Sequence, residues 1–153
     1  MKESLAKIRK SAHSSLPQSS LEIATLIAEG CTDAKGSEVT ALNVSGLSDI
    51  ADYFVIVSGR SDRQTQGIVN RAIETAMDSG INPMTVEGYD RGHWILVDFG
   101  EVVLHVFYGP MREHFNIEAL WSRATRVDLK KRRKDAAHSG APTRNRSASL
   151  RAA

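Results

Sequence analysis

The side chains able to do chemistry are few and scattered. Val57-Ser58-Gly59-Arg60-Ser61 links an apolar run to a helical pattern, an arrangement in which backbone amides at a helix N-terminus can hold a phosphate. The turn fits neither the Rossmann glycine pattern nor the P-loop pattern, and it reads as structural. Asp62 follows alone, with Arg63 and Gln64 after it, whereas two-metal phosphoryl transfer needs paired carboxylates. The five histidines do not form a ligand set by spacing; His93 and His105 fall on adjacent strands of one hairpin and are candidate neighbours. No Cys/His cluster suits zinc. Cys31, the single cysteine, cannot form an internal disulfide, and as a nucleophile it would need a base and an electropositive pocket. The expectation is no catalytic residue, no metal and no cofactor.

The elements around these residues follow from periodicity and punctuation. Ser19-Ser20-Leu21-Glu22 has capping-box spacing, and Leu21, Ala24, Ile27 and Ala28 continue as a helical stripe that Gly30 or Gly36 would end. Glu38–Val44 reads as a strand, and Tyr53–Val57 as a central strand buried on both faces. Ser61-Asp62-Arg63-Gln64 is a second capping box, opening a helix that Gly80 stops. A short strand over Met84–Glu87 completes a βαβ-type unit. The strands His93–Val97 and Val102–Phe107 flank the tight turn Asp98-Phe99-Gly100-Glu101. Gly109-Pro110 breaks the sheet, and Arg112–Trp121 reads as one short helix. The expected fold is α/β: a single compact domain with a mixed five-stranded sheet and flanking helices. Residues 1–18 read as a disordered leader, 19–126 as the domain, and 127–153 as a basic disordered tail.

The chain has 153 residues, 41% hydrophobic and 25% charged, enough for one domain with a core. Nothing approaches the ~18 consecutive apolar residues of a membrane span, so no membrane partner is expected. Lone-cysteine usage suits a reducing, cytoplasmic compartment, with an organellar matrix or stroma as the alternative. The net charge of +2 conceals a strong asymmetry. Residues 123–153 carry ten Lys/Arg against two Asp, and residues 1–19 four Lys/Arg against one Glu. Residues 20–122 hold six Lys/Arg against fifteen Asp/Glu, so the acidic body lies between basic ends. Nucleic acid would meet the ends, and a basic protein would meet the body.

Asp49 through Gln64 resembles the Iojap family of ribosomal silencing factors. So do Glu87-Gly88, the stretch Trp94 through Phe107, and Arg112 through Trp121. The likeness is collinear over roughly residues 20–124. It departs at Glu101, where Asp is usual, at His114, where an aromatic is usual, and in the loose Lys35-Gly36-Ser37-Glu38 entry to the first strand. The resemblance implies a nucleotidyltransferase-like fold without catalytic acids. It also implies a non-enzymatic protein that binds the large ribosomal subunit through its fourteenth protein. Such a protein blocks joining of the small subunit and represses translation when nutrients are short. A homodimer of the free protein is a further expectation, as is auxiliary contact with ribosomal RNA by Lys130, Lys131, Arg132, Arg133 and Lys134. The competing classes are a nucleotide-binding or nucleotidyl-transferring enzyme, whose acids are missing, and a nucleic-acid chaperone acting through the tails.

The candidate partner-binding residues are Tyr53, Gly88, Gly92, Trp94, Asp98, Glu101, His105, Tyr108 and Arg112. Several have a second, structural reading. Trp94 and Tyr53 are either core aromatics or interface anchors. His105 is a satisfied core histidine or an interface donor. Asp98 serves the turn or, with Glu101, a partner's Lys/Arg. Arg112 holds a carboxylate within the fold or reaches outward. Gly88 and Gly92 permit turns or close approach. In the last strand Val103, His105 and Phe107 share one face, and Val102, Leu104, Val106 and Tyr108 the other.

Overall fold

The computed structural model describes residues 19–129. The expected leader and the cationic run Lys130–Lys134 lie outside the described residues. Helix α1, Ser20–Asp33, begins at a complete capping box: Ser19 Oγ accepts from the Glu22 amide, and Glu22 returns a carboxylate to the Ser19 amide. Neither candidate glycine ends it as expected. Lys35 takes the left-handed conformation (φ 68°), and Gly30 stays inside the helix where it crosses the next one, its bare Cα facing Ala72 and Thr75. Strand β1, Ser37–Asn43, carries a bulge between Ser37 and Thr40, with Glu38 at φ 51°. Strand β2, Tyr53–Gly59, is buried on both faces along almost its whole length, as its apolar run requires.

Helix α2, Asp62–Asp78, buries Ile68, Val69, Ala72 and Ala76, and Gly80 follows its end at φ 83°. Its start differs from the expected reciprocal box. Ser61 Oγ accepts from the Gln64 amide (3.0 Å), but Gln64 Oε1 accepts from the amide of Arg60 at 2.6 Å. The Arg60 amide of the turn and the Gln64 amide of the first helical turn are thus engaged by the Gln64 and Ser61 side chains.

Strands β3 (Thr85–Glu87), β4 (Trp94–Asp98) and β5 (Val102–Tyr108) form a meander. At the β4–β5 turn Gly100 has φ 101°, and Asp98 Oδ1 accepts its amide at 2.8 Å. The expected single helix over 112–121 is two: α3, Gly109–Phe115, and α4, Ile117–Leu120, separated by Asn116 at φ 45°. Asn tolerates that conformation, so no glycine marks the break.

A sixth strand, β6 (Thr125–Val127), pairs antiparallel with Asn43–Ala41, correcting the five-stranded sheet to six. It is too short to show periodicity, and pairing to β1 defines it. The described chain remains packed beyond the expected boundary at 126, with Val127 and Leu129 against the core. The sheet order is β3-β4-β5-β2-β1-β6, and only the central β2–β5 pair is parallel. Helices α1 and α2 cover one face, with Val55, Val57, Ile95, Val97, Leu104 and Val106 beneath them. The other face carries Leu42, Phe54, Ile56, Val103 and Phe107, and α3–α4 close over it through Met111, Ile117 and Trp121.

Candidate interaction face

The two faces of the sheet are covered unequally. Along β4, Ile95 and Val97 are fully buried toward α1 and α2, while Trp94, Leu96 and Asp98 alternate onto the other face and stay half-exposed. Cross-strand pairing sets Glu87 beside Leu96 and Thr85 beside Asp98 on that same face. The short helices lie over β5 and β2, and α3 reaches β4 through Phe115, whose ring stands 4.6 Å from that of Trp94. The β3–β4 half of this face is therefore an apolar strip of Trp94, Leu96 and Phe115 (45% exposed), rimmed by the carboxylates of Glu87 and Asp98. Glu101, exposed at the adjoining hairpin tip, extends the acidic rim.

Beneath Trp94 the layer is aromatic. Its ring stacks on Phe107 at 5.0 Å, and its Nε1–H donates to His105 Nδ1 at 3.2 Å. His105 is 6% exposed, edge-on to Phe54 at 4.9 Å, and burial lowers its pKa to about 4. A buried imidazolium would lose its hydration without gaining a counter-charge, so the ring stays neutral. His105 is thus a core histidine and Trp94 a half-buried anchor above it.

The nine candidates separate by location. Trp94 and Asp98 share the open face, with His105 below and Glu101 at its edge. Gly88 (φ 80°) lies against the Trp94 carbonyl, where any Cβ would collide; at Gly92 (φ 75°) a Cβ would come within 2.8–2.9 Å of Asp62 Cβ and its carbonyl oxygen. These glycines shape the β3–β4 loop.

Tyr53 is on the opposite, helix-covered face, its hydroxyl 3.5 Å from Asn43 Nδ2. Tyr108 ends β5 with its ring 6.0 Å from that of His93, beside a cleft of about 260 Å³ shared with Arg60, Ser61 and Asp62. His93 therefore neighbours Tyr108, and His105 pairs across the strands with Leu96.

Arg112 faces inward. All five of its N–H directions are used: Nε and Nη2 to the two Glu118 oxygens (3.1 and 2.9 Å), Nη1 to the Glu38 carbonyl (2.8 Å) and Ser58 Oγ (3.0 Å), and Nη2 also to Thr40 Oγ1 (3.3 Å). Arg112 is a buried tie between α3, α4, β1 and β2, and it takes the internal role of its two expected roles. Its guanidinium, bonded to Glu118, holds that carboxyl below the usual range.

Leu96 and Phe115 were not among the candidates. Leu96 is concealed within the continuous apolar run Trp94–Val97, and Phe115 reaches the site only through the fold of α3. Among the described residues no three His, Cys, Asp or Glu side chains could hold a metal ion. Cys31 is buried, which pushes its thiol up to about 12.

An open mixed six-stranded sheet, helix-covered on one side and half-covered on the other, defines the fold as a single mixed α/β domain. The family described as "Ribosomal silencing factor during starvation" matches residues 17–153, and the chain belongs to that family. A Bacillus subtilis ribosomal silencing factor is 40% identical over 107 residues, spanning 70% of this chain and 91% of the relative. A mitochondrial Iojap-related protein of Arabidopsis thaliana is 32% identical over 95 residues, covering 59% of this chain and 51% of that one. A crystal structure of a Bacillus halodurans protein aligns with TM-score 0.63 at 36% identity, covering 71% of this chain and 98% of that one. No helix among the described residues is long and apolar enough to cross a membrane.

Proposed function

We propose that the protein binds the large ribosomal subunit through its fourteenth protein and sterically prevents the small subunit from joining. Translation is thereby repressed when nutrients are short, in the cytoplasm and without catalysis. Family membership supports the ribosomal role, and the observation that carries the mechanism is the uncovered β3–β4 half of the sheet. An apolar strip around Trp94 with Glu87, Asp98 and Glu101 at its margin suits a basic partner such as a ribosomal protein. A specific interface buries roughly 1,600 Å² in total, within reach of one face of this domain.

Tyr53 and Tyr108 lie away from this strip, so the proposed interface centres on Trp94, Leu96, Asp98 and Glu101. Lys130, Lys131, Arg132, Arg133 and Lys134 add screened attraction to ribosomal RNA, and the free protein pairs with itself as a homodimer. The test is co-sedimentation with purified subunits, for the wild-type chain and a folded W94A variant. The expected result is association with the large subunit alone, fewer joined ribosomes, and loss of both effects in W94A. Equal association with both subunits, or unchanged joining at saturating protein, overturns the proposal.

A further inference from the structure

His105 is unusual in its layer. It is a polar side chain set among Phe54, Phe107 and Trp94, and its Nε2 is buried with no hydrogen-bond partner among the described residues. Native interiors rarely leave a buried polar atom unpaired, because the lost hydration is not recovered. A phenylalanine would fill the same ring-sized space without an orphan. Among the described residues His105 makes one side-chain hydrogen bond, accepted from Trp94 at 3.2 Å.

That contact fixes the tautomer. An indole N–H can only donate, so Nδ1 must present its lone pair, and the single proton of the neutral ring resides on the orphaned Nε2. The opposite tautomer would set two N–H groups against each other. Trp94 and His105 occupy diagonal positions on adjacent strands, since Trp94 pairs with Phe107 and Leu96 with His105. The ring contacts with Phe107 and Phe115 do not select a direction for the indole N–H; the bond to His105 does. The polar atom of Trp94 is turned into the sheet, and what the side chain leaves at the surface is apolar ring.

We propose that His105 is a positioning residue for Trp94: as the Nε2–H tautomer it anchors the indole N–H and so presets the apolar surface that Trp94 offers to a partner. This rests on the interface reading above for its consequence in binding, although the anchoring itself is measurable without a partner. A preset anchor avoids part of the ordering cost on association.

The test uses the full chain carrying H105F, H105N, W94F and the W94F/H105F pair, each first checked for cooperative unfolding. Asn Oδ1 can stand where Nδ1 stands, whereas Phe preserves ring volume and lacks an acceptor. Nitrogen NMR of the wild type should show His105 with Nδ1 unprotonated and Nε2 protonated. The Trp94 indole N–H, assigned by its absence in W94F, should resist solvent exchange. That protection should vanish in H105F and return in part in H105N, the reverse of the order that packing alone would give. Binding to the purified large subunit should weaken about tenfold in H105F and recover in H105N. In the W94F background, H105F should change binding less than about twofold.

An indole N–H equally protected in H105F, or an Nδ1-protonated His105, overturns the anchoring. Equal binding losses from H105F with and without W94F overturn its role in recognition. If W94F and W94A leave large-subunit binding intact while the indole signals behave as expected, the interface reading fails and the anchoring stands.

Discussion

Arg112→Met tests the buried tie that holds α3 and α4 to the sheet. Arg112 is 8% exposed, and its two bonds to Glu118 form a fork-like ion pair at 2.9–3.1 Å. Methionine fills much of the volume but takes the guanidinium donor from the Glu118 carboxylate and from the Ser58 and Thr40 hydroxyls, and leaves the Glu38 carbonyl only the Thr40 hydroxyl. Removing one partner of a buried pair costs ~3–5 kcal/mol. Glu118 retains 24% side-chain exposure and can recover some hydration, so about 3 kcal/mol is expected. For a folded unit of this size that lowers Tm by roughly 10 °C. Arg112→Lys keeps the charge but not the planar fork, and should lose about half as much.

The assay is urea unfolding followed by circular dichroism, repeated for Glu118→Gln and the double variant. Because Arg112 depresses the Glu118 pKa, the pair stabilises the fold above the ordinary carboxylate range, and this is lost as pH falls through the folded-state pKa. Arg112→Met should therefore be least damaging in acid. A loss under about 0.5 kcal/mol with an unchanged m-value, or strict additivity with Glu118→Gln, would refute the reasoning.

His105 makes stability depend on pH in the same direction for a different reason. Its pKa is about 4 folded against 6.5 free, so the unfolded chain takes up the proton first. Stability is complete above pH 6.5 and declines toward pH 4, by roughly 3 kcal/mol over the window. H105F should lack this slope, and superimposable pH–stability profiles would exclude the effect. Gly88→Ala combines a left-handed backbone with a collision at the Trp94 carbonyl, and should cost ~2 kcal/mol or more and disturb the start of β4. A wild-type melting curve for that variant would show that the loop accommodates a side chain.

Much of the fold was legible in local signals because those signals are themselves local. Ser19 and Glu22 specify a helix start through bonds three residues apart, and Asp98 with Gly100 specifies a turn through one side-chain bond and one positive φ. The unbroken run at Tyr53–Val57 announced a central strand, and alternation in β5 correctly divided its residues between faces. Asn116 and Lys35 escaped because a non-glycine residue in the left-handed region carries no compositional mark.

The interaction face depended on distances that only tertiary structure supplies. Tyr53, Tyr108, Arg112 and Trp94 are all plausible anchors by residue type. Sheet pairing and the two helical layers bury Arg112, turn Tyr53 toward α1 and α2, move Tyr108 to the strand ends, and leave Trp94 half-open. Likewise β6 exists through its pairing to β1, more than 80 residues earlier, and His105 becomes the acceptor for Trp94 through strand register. Apart from β6 and the break between α3 and α4, the sequence by itself determined which segments are helix and strand, and what family they belong to, since caps, turns and apolar periods act within a few residues. Which side chains meet, and which face stays uncovered, was decided by packing between segments far apart in the chain.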